Sequence, residues 1–374
     1  MIIKNGLVFM EDFKFRQVNL KVIDGMIQKI TDTELPEEIG EEVIEAQGLK
    51  VIPGLTDIHF HGCMNSDLCD ATDEAISIMA KYQRSKGVTT ICPATMTLPK
   101  ERLMEICQVA ANHERTEGEA EIIGINLEGP FISPAKVGAQ NPEYVHRAEV
   151  DFLKDLIEAS GGLTKLVTIA PEEDGALECI SALKDDIKFS IGHTSANYEE
   201  AVAGIQAGVR HMTHMFNAMP GLTHRVPGPI AAAAERPEMT VELICDGYHI
   251  HPSMIRLAFR LFGPNRIVTI SDSCRACGME QGGEYELGGQ TVYLNDGVAR
   301  LKDGTIAASA TNLFDCMVNT MKYGIPEELA VRAATFNSVK AIGMEKRYGS
   351  IAEGKVANLV LVNEDYEIQQ VIGQ

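Results

Sequence analysis

Hydrophobic and polar positions divide the chain into two kinds of segment. Residues 1–50 carry short alternating apolar runs, "LVFM", "VNLKVID", "GMIQKI" and "EVIEA", separated by Gly, Asp and Pro. Alternation with a period of two, bounded by turn residues, marks half-buried strands. The C-terminal "GSIAEGKVANLVLV" has the same pattern. These two ends predict a small antiparallel sheet at the N-terminus and one accessory β-sandwich domain assembled from residues 1–50 and 345–374.

The middle of the chain, residues 51–344, alternates differently. Compact apolar runs at 52–59, 88–95, 121–128, 165–171, 187–193, 209–214, 240–246 and 266–272 are separated by helix-length amphipathic stretches such as 72–86, 99–115, 149–159 and 196–207. Near-continuous apolar strands joined by helices belong to a parallel sheet covered on both faces. Eight of them predict an α/β fold, a TIM-like (β/α)₈ barrel.

The polar residues that interrupt this pattern carry the chemistry. His59, His61, Glu128, His193, His214, Asp246 and Asp272 sit at or just past the C-terminal ends of these runs, the face on which barrel active sites are built. His59 and His61, two apart on an extended segment, point the same way. A lone histidine at a strand end is more often a capping or solvated residue than a ligand. A set of imidazoles and carboxylates at one shared end suits zinc or a similar divalent ion.

Composition narrows the partners. With 374 residues the chain has room for one barrel of about 250 residues and an accessory piece. The formal charge of -20 argues against a nucleic-acid partner, because phosphate neutralisation needs clustered Lys and Arg. An anionic substrate must therefore meet a local positive site. No apolar run is long enough to span a bilayer and "MIIKNGLVFM" lacks the apolar core of an export signal, so no membrane partner and a cytoplasmic location are expected. Nine scattered cysteines, an odd number, read as reduced core residues. The Cys274-Arg-Ala-Cys277 motif has no second ligand pair nearby to make a zinc knuckle.

Several segments together resemble one family. "VIPGLTDIHFHG", "NLEGPFISP", "GHTSA", "THMFNAMPGL", "CDGYHIHP" and "SDS" are similar to the amidohydrolase superfamily and, within it, to the N-acetylglucosamine-6-phosphate deacetylases. The likeness extends through "GEYELGGQTVYLNDGVARLKDGTIAAS" to the C-terminal strands, so it covers essentially the whole chain. It implies hydrolysis of the N-acetyl group of N-acetylglucosamine 6-phosphate by a homodimeric, metal-dependent hydrolase of amino sugar metabolism. By the same resemblance Glu128, His193 and His214 hold the principal ion, His59 and His61 can hold a second, and Asp272 is the general base and acid. The ion, one or two per subunit, is zinc, iron, manganese or cobalt.

The resemblance also implies a substrate site. Asn217, Ala218 and Arg225 in "FNAMPGLTHR" match groups that meet the phosphate, with Arg225 reaching it from the neighbouring subunit. His249 matches a sugar contact, and Ile306, Ala307, Ala308 and Ser309 match a loop that closes over the sugar. Where relatives carry a histidine, this chain reads "GAQ" with Gln140, an amide that can still donate to the substrate carbonyl but never as a cation. "SCRAC" after Asp272 brings Arg275 near the mouth, and "TNLFD" after "IAAS" is also atypical, so a related amino sugar or acyl group stays open. Cyclic-amide hydrolases carry a carboxylated lysine where this chain reads "APEED", with Lys165 at the strand's start. Cyclic-amide hydrolysis, deamination and a non-catalytic assembly barrel are the remaining alternatives.

Overall fold

Each of the eight apolar runs contains a strand. In this computed structural model, which describes residues 1–373, they are Leu55–Asp57, Val88–Ile91, Ile125–Glu128, Thr164–Ile169, Lys188–Ile191, His211–Met212, Thr240–Ile244 and Ile267–Ile270. Gln374, the last position of the expected accessory domain, lies outside the described residues. The last six strands pair in chain order as one parallel sheet. The first two pair in parallel with each other, and Ala94 bridges in parallel to Asn126. At the other edge, the Asp272 N–H donates to the His59 carbonyl at 2.9 Å and the His61 N–H to the Ser273 carbonyl at 2.7 Å. These strands are buried almost throughout, and the burial takes in polar positions such as Thr89, Thr90, Asn126, Ser190 and Glu242 as well as the apolar ones, so the runs are less continuously apolar than a parallel sheet covered on both faces leads one to expect.

The covering helices follow from local signals. Asp73–Ser85 starts at Thr72, whose side chain accepts from the Ala75 N–H, and Asp73 and Glu74 oppose the positive end of the helix dipole. Its buried residues Ala75, Ile76, Met79, Ala80 and Gln83 recur at three- and four-residue spacing, so one stripe packs inward. Tyr198–Ala207 begins with a reciprocal capping box between Asn197 and Glu200 and ends at Gly208.

The two chain ends meet in one sheet, in the order Ile368–Ile372, Leu359–Val362, Lys50–Pro53, Ile2–Phe9, Phe15–Ile23, Met26–Thr31, with Val43–Glu45 also on Ile2–Phe9. Ile3, Val8, Leu20, Ile27, Val51, Leu359 and Leu361 form its core. Two details differ from expectation. Ile2–Phe9 pairs in parallel with both Val43–Glu45 and Lys50–Pro53, so the N-terminal sheet is mixed rather than antiparallel, and it runs past residue 50. Period-two alternation records which face is buried and is identical for either direction; the intervening segment 32–42 is what returns the chain to the starting end.

The second difference lies inside the alternating region. Residues 284–309 form a four-stranded antiparallel sheet, Glu284–Leu287, Gln290–Asn295, Val298–Arg300 and Ile306–Ser309. The "IAAS" segment expected as a closing loop is therefore a strand. Its hairpins turn at Gly288-Gly289 and at Asp296-Gly297, where both central residues have positive φ, the geometry a tight two-residue hairpin demands. Among the described residues no helix is long and apolar enough to cross a membrane.

Candidate active site

Three of the polar residues at the strand ends are turned inward by unusual backbone. His193, His214 and Asp272 have φ of 45°, 27° and 48°, a region that non-glycine residues occupy at a cost of order 1–3 kcal/mol each. Each follows a buried strand closely, Ile191 to His193, Met212 to His214 and Ile270 to Asp272. Continuing in the extended form would carry the side chain into the next alternation, and the left-handed residue instead directs it into the mouth.

Six sequence candidates converge there. Glu128 is the hub: its Oε1 lies 3.0 Å from His193 Nε2, 2.9 Å from His214 Nε2 and 3.4 Å from His59 Nε2, and its Oε2 lies 3.1 Å from His61 Nε2. Asp272 Oδ1 stands 3.5 Å from His61 Nε2 and 3.7 Å from His59 Nε2. Two ligand groups result, His59 with His61 and Glu128, and Glu128 with His193 and His214, all buried.

The donor chemistry fits a cation. The Nε2 atoms of His193 and His214 face each other at 3.1 Å, and His59 Nε2 is buried with no hydrogen-bond partner. The far side of two rings is occupied: His193 Nδ1 meets the Lys136 carbonyl at 2.9 Å, and His59 Nδ1 meets Glu242 Oε2 at 2.9 Å. A donor N–H there leaves an Nε2 lone pair for the centre. Charge points the same way. Burial disfavours the His61 imidazolium, but hydrogen bonds to Asp272 and Glu128 outweigh it and push the ring up to about 10. Burial also opposes ionised Glu128, yet His59 and His193 hold it well below the usual carboxylate range. Such a site lacks positive charge that a divalent ion can supply in place of protons.

A cavity of about 320 Å³ opens on this centre, lined among others by His61, Glu128, Gln140, His193, His214 and Asp272. Asn217, Ala218, His249, Ile306 and Ala307 also line the wall. His249 Nδ1 is held by Asp246 Oδ2 at 2.7 Å, so Asp246 orients a cavity residue and belongs to neither ligand group. Gln140 is fixed at both ends: its Oε1 accepts from the Thr97 N–H at 2.6 Å and its Nε2 donates to Glu128 Oε2 at 2.6 Å.

The expected placements of Ala308, Ser309 and Arg275 differ. Ala308 and Ser309 are buried behind the wall, where the Ser309 N–H donates to the Asp272 carbonyl at 2.8 Å. Arg225 lies in the exposed 221–226 loop, outside this chain's own cavity wall. Arg275 turns from the mouth to a bidentate pair with Asp70 and a 3.2 Å contact with Glu286, since unpaired burial of its charge would be costly. Cys274 and Cys277 are free, and burial pushes their thiols up to about 12 and about 11, which leaves them inert.

Glu242 is absent from the sequence candidates. It is fully buried in Thr240–Ile244, and although burial opposes its charge, His59 and His211 hold it well below the usual range. A charged residue within the apolar "TVELICD" was the available signal.

An amidohydrolase family sequence model matches residues 50–373. An N-acetylglucosamine-6-phosphate deacetylase from Bacillus subtilis (strain 168) is 36% identical over 375 residues, 98% of this chain and 94% of that one. An N-acetylgalactosamine-6-phosphate deacetylase from Escherichia coli O157:H7 is 30% identical, covering 94% of this chain and 92% of its own. Among solved structures, an N-acetyl-D-glucosamine-6-phosphate deacetylase mutant from Mycobacterium smegmatis, in complex with N-acetyl-D-glucosamine-6-phosphate, superposes with a TM-score of 0.92 at 30% identity, over 100% of this chain and 97% of that one.

Proposed function

The chain belongs to the amidohydrolase family, and from that premise we propose that it hydrolyses N-acetylglucosamine 6-phosphate to glucosamine 6-phosphate and acetate. The observation that carries this reading is the convergence of four histidine Nε2 atoms on Glu128, with Asp272 beside them, at the floor of one cavity. In this reading the eight parallel strands, within residues 51–344, close as a barrel, and the sheet built from both termini is the accessory domain.

Glu128, His193 and His214 would hold one divalent ion, and His59 and His61 with Glu128 a second. When bound, such an ion supplies Lewis acidity and lowers the pKa of a coordinated water to about 7. Asp272 accepts a proton from the attacking water and returns it to the leaving nitrogen, so that acetate and a free amine are produced. Gln140, its carbonyl oxygen engaged by Thr97 and one N–H by Glu128, presents its second N–H toward the acetyl oxygen. His249 meets a sugar hydroxyl through the ring edge that Asp246 leaves free. Arg225, exposed in one subunit, reaches the phosphate of its dimer partner beside Asn217 and Ala218, offsetting the acidic surface with a charge-assisted fork.

The relative that acts on the galactosamine epimer supports a second reading, in which the 4-hydroxyl configuration is the one that differs. Acetate release measured with N-acetylglucosamine and N-acetylgalactosamine, each with and without a 6-phosphate, separates the two. Ion-free protein should be inactive on all four and recover on adding zinc, iron, manganese or cobalt. Full turnover by protein shown ion-free by elemental analysis would overturn the metal-dependent reading.

A further inference from the structure

We propose that Glu242 is a positioning residue that fixes His59 and the His214 backbone together, and so joins the two ligand groups from beneath. Glu242 Oε2 lies 2.9 Å from His59 Nδ1 and accepts the His214 backbone N–H at 2.9 Å. Its Oε1 lies 3.0 Å from His211 Nε2, and its carbonyl accepts the Met215 N–H at 3.0 Å. Among the described residues no Lys or Arg pairs with it; its ion-pair partners are His59 and His211.

The geometry gives this carboxylate two tasks. By accepting at Nδ1 it keeps the His59 proton on the side away from the centre, so that Nε2, 3.4 Å from Glu128 and 3.7 Å from Asp272, offers a lone pair. By accepting the His214 N–H it stabilises the left-handed His214, whose backbone would otherwise relax and withdraw Nε2. Each of the three side-chain contacts places a nitrogen against a carboxylate oxygen, and an ionised carboxylate is an acceptor only. In Glu242→Gln one of the two oxygens becomes an NH₂: set against His59 and the His214 N–H it faces two donors, and set against His211 it is matched only if that ring moves its proton to Nδ1. His59 and His214 belong to different ligand groups, so one substitution should weaken both.

This inference rests on the reading of those groups as a metal centre, and its test separates the two. Ion-free wild type and Glu242→Gln are titrated with zinc against a chromophoric chelator, alongside circular dichroism. The expected result is a folded variant with affinity lowered about 10- to 100-fold, the usual effect of losing a carboxylate behind a ligating histidine. Equal affinities would overturn the role of Glu242 while leaving the metal reading intact, whereas failure of wild type to bind zinc would sink the metal reading itself. Should Glu242→Gln not fold, ¹⁵N-histidine spectra of zinc-loaded wild type still decide. The His59 signal, assigned by its loss in His59→Gln, should show the proton on Nδ1; a proton on Nε2 would overturn the inference.

Discussion

Asp272→Asn isolates proton transfer from everything else this position does. Asparagine has nearly the same shape and is among the few side chains that tolerate the 48° φ found here, so the left-handed turn survives. The backbone bonds that anchor the residue, its N–H to the His59 carbonyl at 2.9 Å and its carbonyl from the Ser309 N–H at 2.8 Å, involve no side-chain atom. What disappears is the carboxylate facing His61 Nε2 at 3.5 Å and His59 Nε2 at 3.7 Å. Positioned acid-base groups contribute about 100- to 10,000-fold, which at 1.36 kcal/mol per decade raises the barrier by roughly 2.7 to 5.5 kcal/mol. Turnover should fall at least about 100-fold at saturating substrate and metal, with metal content and melting temperature close to wild type. The assay is steady-state acetate release, paired with elemental analysis and thermal unfolding of the same preparations. A folded, metal-replete variant within about threefold of the wild-type rate would remove Asp272 from the proton path.

Three further perturbations probe other parts of the molecule. Arg225→Ala should lower kcat/KM toward the 6-phosphate by at least about tenfold while scarcely changing the reaction of the unphosphorylated sugar; an equal loss on both would make Arg225 a structural residue. Gly175 has a φ of +81°, and a Cβ there would lie 2.1 Å from the Ala148 carbonyl oxygen; Gly175→Ala should cost about 2–5 kcal/mol in denaturant unfolding without altering kcat/KM of the folded fraction. Glu119 is buried, and although burial opposes its charge, hydrogen bonds from Ser77 and Thr116 lower its carboxyl to about 2 from an ordinary 4.5. Its contribution is therefore present above about 4.5 and lost as pH falls toward 2, so the stability gap between wild type and Glu119→Gln should close across that window; a constant gap would refute the assignment.

What the sequence made legible, and what it hid, divides along a physical line. A strand buried on both faces is rich in apolar residues, so "LVTI" within Thr164–Ile169 and "IVTI" at Ile267–Ile270 stand out from the amphipathic helices between them, and a His or Glu ending such a run stands out because burying it without a partner is costly. Strand direction leaves no such trace: Ile2–Phe9 looks the same whether its neighbour is parallel or antiparallel. Partners are hidden for a related reason. Glu242 draws no notice in the sequence because the histidine it holds lies 183 positions away in the chain, and Arg275 reads as a mouth residue because Asp70 lies 205 away. The backbone is the third blind spot. Nothing local marks His193, His214 or Asp272 as left-handed, since each breaks the preference of its own residue type and is held there by distant contacts such as Glu242 on the His214 N–H. Those three strained positions are also among the side chains that make the centre. Local preference fails where the chain has to turn a strand-end side chain into the mouth, and for His214 the residue that holds the turn also orients a ligand of the neighbouring group. A disturbance at one ligand should therefore be felt at both groups, which independent caps at separate strand ends would not show.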